Sequence, residues 1–226
     1  MAVGREIKDR IKSVKNTGKI TRAMELISTV KMKKAEDTVH EARPFALGAM
    51  GILGRIRDSI ADSPFCQVSE TVHNRELIVV VTSNRGLCGG YNVNIFREIL
   101  KLDRSKTKYD FITIGKKARE FVTRTGENLI ADFSDVFGDE LEESKVTEVS
   151  LALDEFYLEG EYDRAKVLYS HYVSAISQQA LWRQIYPIDT EQIVAFLTEI
   201  AGDGEVTMKS ETNYQIEPSK KEIVDR

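Results

Sequence analysis

The sequence predicts an α/β fold, in which a long N-terminal coiled-coil helix precedes a Rossmann-like, three-layer α/β domain with a mostly parallel sheet. Two observations predict it. The N-terminal part of the 226 residues repeats apolar side chains at helical spacing, and from residue 76 short β-branched runs alternate with helical patterns. The expected organisation is a helix over residues 1–60, a linker over 61–75, the α/β domain over 76–212 and the start of a further helix over 213–226.

The N-terminal helix is predicted by apolar positions that recur at spacings of four and three, with one slip around residues 16–18. These positions are Ile7, Ile11, Val14, Ile20, Met24, Ile27, Val30, Ala35, Val39 and Ala42. The first proline is Pro44, and the pattern resumes beyond it as far as Ile56. At about 1.5 Å per residue such a helix measures roughly 80 Å, more than the diameter of a small domain, so we expect it to project from the fold.

Charge is distributed unevenly along the chain. Residues 1–43 hold eleven Lys and Arg against six Asp and Glu, a net charge of +5, whereas the whole chain carries −4. This asymmetry predicts different partners for the two parts. A basic helix can bind nucleic acid, but here acidic residues are interleaved with the basic ones and no aromatic residue lies between Met1 and Pro44. A solvated helix folded back on the domain remains an alternative to a coiled-coil seam.

The α/β domain is predicted from the run 77-LIVVVTS-83, which is apolar almost throughout, as expected of a strand buried on both faces. The remaining elements, with right-handed crossovers, are expected as helices over 93–102, 116–126 and 144–160 and strands over 109–115, 128–133, 164–173 and 178–188. The last two strands have no helix between them, so we expect them to pair antiparallel at an edge. Residues 202–211 are expected to form a loop or a short hairpin.

A glycine-rich turn, 84-NRGLCGGYN-92, joins the first strand to a helix. Such a turn can cradle a phosphate at the helix N-terminus. However, Gly86, Gly89 and Gly90 fit neither G-x-G-x-x-G nor G-x-x-x-x-G-K-[ST]. A tight turn built from residues without a Cβ is the simpler explanation. A stand-alone nucleotide-binding protein stays open as the alternative function.

The residues between these glycines favour a protein contact. An exposed Arg85 beside Leu87 and Tyr91 would suit one. Cys88 has no neighbouring base in the sequence, so we expect it to be a small packing residue and not a reactive thiol.

No catalytic or metal-binding pattern is evident in the sequence. The two cysteines lack CxxC spacing, and the scattered histidines, which have no evident carboxylate or nucleophile partner, are His40, His73 and His171. There is no run of eighteen apolar residues and no apolar signal core at the N-terminus. We therefore expect a soluble, intracellular protein with no catalytic site of its own, no cofactor and no bound metal.

Four segments together resemble the gamma subunit of the F-type ATP synthase. They are 5-REIKDRIKSVKNTGKITRAMELISTVKMKKA-35, 42-ARPFA-46, 83-SNRGLCGGYNVNI-95 and 214-YQIEPS-219, in the family's order and over essentially the whole chain. The resemblance implies a central stalk whose N-terminal helix pairs antiparallel with a C-terminal helix inside a ring of alpha and beta subunits. The Rossmann-like domain would lie below, beside the epsilon subunit and on the membrane c-ring.

The resemblance also implies a mechanism and a set of contact residues. Proton flow would turn the c-ring and this chain together at the cytoplasmic face of a bacterial inner membrane, while catalysis belongs to the beta subunits. The residues implied to contact the alpha/beta ring are Lys15, Asn16, Thr17, Lys19, Ile20, Thr21, Arg22, Met24, Arg85, Gly86, Leu87, Cys88, Gly89 and Gly90. Those implied at the c-ring foot are Arg43, Pro44, Tyr214, Glu217 and Pro218.

The C-terminal residues carry a helix-start pattern. Ser219 followed by Glu222 forms a capping box, and Pro218 suits the entry to a helix. The family would continue here with its long C-terminal helix, so we expect this chain to be a truncated form. The cysteine-containing insertion of plastid-type relatives is not seen, so thiol regulation is not expected. A free-standing coiled-coil adaptor is the remaining alternative.

Overall fold

The structure is a computed structural model, and it describes residues 2–56, 63–67, 72–135, 143–174, 176–189, 192–193 and 195–196. The chain divides into two compact units. The first includes the N-terminal residues up to Leu53, and the second begins at Gly54 and includes the sheet. The loop or hairpin expected over 202–211 and the helix start expected over 213–226 lie outside the described residues.

The N-terminal unit is built on one helix, α1, which runs from Ala2 to Ile56 and continues through Pro44. The long helix predicted from apolar spacing is therefore confirmed. Local ion pairs accompany it, such as Lys33 Nζ with Asp37 Oδ1 at 2.7 Å. Because both side chains of this pair are solvent-exposed, the pair contributes little to stability.

The apolar stripe of α1 faces solvent. Its large side chains are between 46% exposed, at Met24, and 70% exposed, at Val30. The exposed members of the stripe are Ile7, Ile11, Val14, Ile20, Met24, Ile27, Val30 and Val39. A helix in water draws most of its stability from packing of its apolar face and little from propensity, so this stripe needs a partner to stabilise the helix.

The second unit alternates strands and helices, as predicted. Its elements are β1 (Arg75–Val81), α2 (Tyr91–Leu100), β2 (Lys108–Ile114), α3 (Lys116–Thr125), β3 (Asn128–Asp132), α4 (Glu143–Glu159), β4 (Arg164–Tyr172) and β5 (Gln178–Tyr186). Each element begins and ends within about two residues of the bounds predicted from the sequence, which is the usual uncertainty of helix ends.

The strands form one sheet in the order β3-β2-β1-β4-β5. β1 pairs in parallel with both β2 and β4, and β2 pairs in parallel with β3. β4 and β5 pair antiparallel, which confirms the arrangement predicted for the last two strands. The sheet is therefore mostly parallel, with one antiparallel strand at an edge.

Helices cover both faces of the sheet. On one face α2 and α3 bury Ile95, Ile99 and Phe121 against sheet residues that include Phe111. On the other face, α4 packs Leu153 and Tyr157 against the opposite side of the same strands. This arrangement confirms the three-layer α/β fold. Burial on both faces explains why β1 is apolar throughout its centre.

The connections place one loop in a special position. The helices that lead from β1 to β2 and from β2 to β3 lie on one face, whereas α4, which leads to β4, lies on the other. The carboxyl ends of β1 and β4 therefore lie at the point where the crossovers diverge, the usual position of a binding site in open α/β sheets. The glycine-rich turn begins at this point.

Candidate partner-binding site

The loop that follows β1 is held from behind by a small polar cluster. Ser83 N donates to Asn92 Oδ1 at 3.1 Å, and Asn92 Nδ2 donates to Ser83 Oγ at 2.8 Å. Ser83 Oγ in turn donates to the Arg85 carbonyl at 2.5 Å. Asn92 is buried in the first turn of α2, so these bonds tie the start of the loop to the next helix.

The tip of the loop is exposed along its whole length, from Arg85 to Gly90. Leu87 is 93% exposed and has a φ of 64°, a left-handed conformation that is unusual for a residue with a Cβ. An exposed large apolar side chain in such a conformation supports the protein contact that the sequence favoured at this turn. The position of Arg85 at an exposed turn is confirmed.

The expectation that all three glycines serve a tight turn is wrong in part. Gly89 has a φ of 59°, which favours glycine. An added Cβ on Gly86 would meet nothing within 4 Å, and one on Gly90 would lie 3.6 Å from the Asn94 side chain, an ordinary contact. Only Gly89 therefore has a backbone conformation that calls for a residue without a Cβ.

The expectation for Cys88 is also wrong. Cys88 is exposed and is not a packing residue. Its Sγ accepts a hydrogen bond from Asn92 Nδ2 at 3.2 Å. Burial, followed by the neighbouring Cys88 thiol, raises the pKa of Tyr91 above its ordinary value. The Cys88 thiol therefore lies on the exposed side of the loop, next to the polar cluster of Ser83 and Asn92 that holds the loop in place.

The first residues of the loop also cap a second helix. Gly115, which precedes α3, makes no side-chain cap, and the end of β1 supplies acceptors instead. The three bonds are Lys116 N to Asn84 Oδ1 at 2.9 Å, Lys117 N to Ser83 O at 3.1 Å and Ala118 N to Thr82 Oγ1 at 2.7 Å. The orphan N–H groups that could bind an anion at this helix start are therefore used within the protein.

The other predicted ring-contact residues lie on α1. Lys15, Asn16, Thr17, Lys19, Ile20, Thr21, Arg22 and Met24 are all exposed. Two of these side chains already have partners on the helix: Thr21 Oγ1 donates to the Thr17 carbonyl at 2.9 Å, and Arg22 Nη1 lies 3.0 Å from Glu25 Oε2. The two predicted groups, on α1 and on the β1–α2 loop, fall in different units of the chain.

The predicted foot residues are described only in part. Arg43 and Pro44 lie on exposed positions of α1. Tyr214, Glu217 and Pro218 lie outside the described residues.

A second polar cluster, which sequence reasoning missed, lies at the opposite end of the sheet. Asp110 is buried and accepts from Arg75 Nε at 2.7 Å, from Tyr162 Oη at 2.7 Å and from Asn128 Nδ2 at 2.5 Å. Burial alone would raise the pKa of Asp110, but these hydrogen bonds outweigh it and hold the pKa below its ordinary value. The cluster joins the amino ends of three parallel strands to the segment that precedes β4.

A cavity of about 570 Å³ lies beside this cluster. Its walls include Arg75, Arg104 and His73, and each of these faces a carboxylate. The expectation that no histidine has a carboxylate partner is wrong for His73, whose Nδ1 lies 4.0 Å from Glu161 Oε2. With His73 neutral, the lining carries three cations, Arg75, Arg104 and Lys108, against three carboxylates, Asp110, Glu127 and Glu161, so the cavity offers no excess charge to a ligand.

Asn92 and Asn84 are the functional candidates that the sequence analysis missed. Asn92 follows a Gly-Gly-Tyr sequence at the start of a helix, and Asn84 lies three residues after the end of β1. Asparagine at such positions commonly bonds to backbone groups of turns and helix starts. This preference could have marked both asparagines as candidates. Local sequence patterns do not identify their hydrogen-bond partners, however, because those partners lie 9 and 32 positions away along the chain.

The exposed stripe of α1 and the exposed loop define the class of this chain, a helix-bearing α/β protein with extensive surface for other proteins. The ATP synthase family matches residues 4–226. A relative named ATP synthase gamma chain from Heliobacterium modesticaldum is 30% identical over 221 residues, which are 98% of this chain and 74% of the relative. Another from Stenotrophomonas maltophilia is 36% identical over 194 residues, 83% of this chain and 67% of the relative. The chain therefore belongs to the ATP synthase gamma chain family.

Solved structures agree on the fold. A cryo-EM structure of the Tetrahymena thermophila mitochondrial ATP synthase, covering its central stalk and c-ring, has a chain that matches with a TM-score of 0.59 at 20% identity, over 91% of this chain and 84% of that one. The family match and the relatives named ATP synthase gamma chain confirm the family resemblance drawn from the sequence, and with it the function of an ATP synthase subunit. No helix among the described residues combines the length and apolarity that a bilayer crossing requires.

Proposed function

We propose that this chain is the rotating shaft that couples proton-driven turning of a c-ring to conformational cycling of catalytic beta subunits. The observation that carries the proposal is the exposed apolar stripe of α1, in a chain that matches the family along residues 4–226. A shaft needs a long element whose apolar and basic faces are both available to neighbours, and α1 supplies it.

The mechanism we propose is a population shift. An asymmetric shaft makes different contacts with chemically identical sites, so each site is biased towards a different conformation, and rotation exchanges those biases. On α1 the exposed Lys15, Lys19 and Arg22 would meet acidic segments of the beta subunits. Such contacts at an exposed surface are screened by salt and can break and form again as the shaft turns.

The α/β unit would support the shaft and hold the second contact. Its exposed loop, Arg85 to Gly90, would meet the same ring, and Arg43 and Pro44 would belong to a foot on the c-ring. The epsilon subunit would lie beside the α/β unit. The chain would have no catalytic site or cofactor of its own, and the complex would work at the cytoplasmic face of a bacterial inner membrane.

Co-purification tests the proposal. A tagged form of this chain, expressed with the alpha and beta subunits, should retain both through washing. Lys19→Glu should release them at a lower salt concentration than the unmodified chain, because it replaces an attractive charge with a repulsive one. Lys106→Glu, at an exposed position of the α/β unit, is the matched control and should not change retention. Failure of the unmodified chain to retain alpha and beta subunits would contradict the shaft role.

A nucleotide titration separates this function from a stand-alone nucleotide-binding protein. The chain alone should show no tight binding of ATP or ADP, because Gly86, Gly89 and Gly90 fit neither of the phosphate-binding glycine motifs. Tight binding that is lost in Gly89→Ala would favour the alternative.

A further inference from the structure

The tip of the β1–α2 loop is presented in a conformation that it would not hold by itself. Leu87 has a left-handed φ of 64° and is almost completely exposed, so its own packing cannot stabilise that conformation. Backbone conformations of this kind persist where surrounding structure fixes them. The surrounding structure is therefore the feature that determines where the exposed side chains point.

Asn92 is the centre of that surrounding structure. Its buried side chain uses both ends: Oδ1 accepts from Ser83 N at 3.1 Å, while Nδ2 reaches Ser83 Oγ at 2.8 Å and Cys88 Sγ at 3.2 Å. It thus contacts the loop at both sides of the Arg85–Leu87 segment.

A second anchor fixes the loop to the other helix on the same face of the sheet. Asn84 Oδ1 accepts from Lys116 N at the start of α3. Because α2 and α3 both pack against the fully buried core, the start of the loop is attached to rigid elements, while its tip is left exposed. An arrangement of this kind suits a contact that must bear a load without being displaced.

We propose that Asn92 is a positioning residue for the contact between this subunit and the catalytic ring. It does not itself touch the ring, but it sets the geometry in which Arg85 and Leu87 meet it. This inference rests on the proposed function, because it assumes that the loop tip contacts the ring.

A double-mutant cycle in the assembled ATP synthase, reconstituted in vesicles, tests the inference. The readout is the number of protons pumped per ATP hydrolysed. Asn92→Ala is measured in the unmodified chain and in a second background that carries both Arg85→Ala and Leu87→Ala. We call this second background tip-deleted, because it lacks the side chains of the loop tip. We expect Asn92→Ala to lower the ratio about three- to tenfold in the unmodified chain, and less than about twofold in the tip-deleted background, where the contact that Asn92 positions is already lost.

Matched variants keep the test interpretable. Asn94→Ala on the same helix is the control, since Asn94 is exposed and its side chain bonds to Arg97, and it should leave the ratio unchanged. If Asn92→Ala fails to assemble, Ser83→Ala takes its place in the same cycle, because it removes the hydroxyl that Asn92 holds.

Each outcome decides the matter. A larger loss in the unmodified chain than in the tip-deleted background supports the positioning role. Equal losses in the two backgrounds, or no loss in either, would overturn it while leaving the ring contact standing. A normal ratio in the tip-deleted variant itself would show that the loop does not contact the ring, which would overturn both the inference and that part of the proposed function.

Discussion

The apolar side chains of the stripe on helix α1 are exposed, whereas those of the sheet in the second unit are buried. Val14 and Val30 on α1 are 66% and 70% exposed, whereas Leu77 and Ile78 on β1 are fully buried. Burying a large apolar side chain stabilises the folded state by about 1.5–3 kcal/mol, so the sheet is stabilised by the burial of its own side chains. The helix is not, because its apolar stripe is exposed and stabilises the fold only where a partner covers it.

Hydrogen bonds show the same contrast. On α1 the side-chain bonds described here join residues three or four positions apart, as Thr21 does with the Thr17 carbonyl. In the second unit, Tyr162 and Asp110 bond across 52 residues. Bonds of the second kind tie distant strands together, so the α/β unit unfolds as a whole, while the helix can fray turn by turn.

The largest expected effect follows directly from this contrast. Phe111→Ala, at a fully buried position of β2, should lower the free energy of unfolding by about 3–5 kcal/mol. Ile27→Ala, at an exposed position of α1, should change it by less than about 0.5 kcal/mol. Urea unfolding followed by the fluorescence of Trp182, the single tryptophan of the chain, which packs against the same core, measures both. Equal losses would mean that α1 is packed as tightly as the sheet.

Sequence patterns predicted the helices and strands of both regions because the spacing of apolar residues that indicates each element can be read within a short segment. The run at β1 is apolar on both faces, and the missing helix between β4 and β5 implied their antiparallel pairing, which is confirmed. Patterns could not predict the order β3-β2-β1-β4-β5, because which face each crossover helix covers depends on long-range packing. The same holds for Asp110, whose partners come from β1, β3 and the segment before β4.

A glycine substitution should have opposite signs in the two regions. Gly115 has a φ of 102°, and an added Cβ would lie 2.2 Å from the Thr82 carbonyl oxygen, so Gly115→Ala should destabilise the second unit by about 3 kcal/mol. Gly18 lies within α1 with nothing within 4 Å of an added Cβ. Gly18→Ala should therefore stabilise the helix by about 0.5–1 kcal/mol.

Two measurements separate these effects. Thermal unfolding followed by Trp182 fluorescence reports on the sheet, and circular dichroism at 222 nm reports mainly on α1 because of its length. The prediction fails if Gly18→Ala lowers helix content or if Gly115→Ala leaves the unfolding of the sheet unchanged.

The candidate site was predicted less completely than the fold. The exposed position of Arg85 in the glycine-rich turn was expected, and the structure agrees, whereas the exposure of Leu87 became evident only in the structure. Cys88 was misjudged because a cysteine between glycines gives no local indication of burial. The roles of Asn84 and Asn92 depend on contacts with α3 and with the end of β1, which form only in the folded chain.

A pH titration should show a smaller effect on the stability of the second unit. Asp110 has a folded-state pKa below its ordinary value of about 3.9, so the unfolded chain binds more protons there than the folded chain. Its contribution to stability is therefore present above about pH 4 and is lost as the pH falls through the folded-state pKa. Asp110→Asn should remove about 2 kcal/mol at pH 7 and flatten this loss.

Urea unfolding at a series of pH values between about 6 and 3 checks this prediction. Asp103→Asn is the matched control, because its carboxylate also has a lowered pKa through Ser105 but is exposed in a loop. An unmodified chain whose stability declines with pH no more steeply than that of Asp110→Asn would contradict the role given to the cluster.

The smallest effect on stability should come from Met24→Lys, yet its effect on function should be clear. Met24 is 46% exposed on α1, so replacing it should change the free energy of unfolding by less than about 0.5 kcal/mol. It lies among Lys19 and Arg22, and another cation there would alter the balance of attraction at a sliding contact with acidic segments of the ring. ATP hydrolysis should continue while proton pumping per ATP falls. Met32→Lys, at a similarly exposed methionine of the same helix outside the proposed contact, is the matched control. Normal pumping and hydrolysis in Met24→Lys would show that this part of α1 is ordinary surface. The same loss in both variants would show that the effect is not specific to the proposed contact.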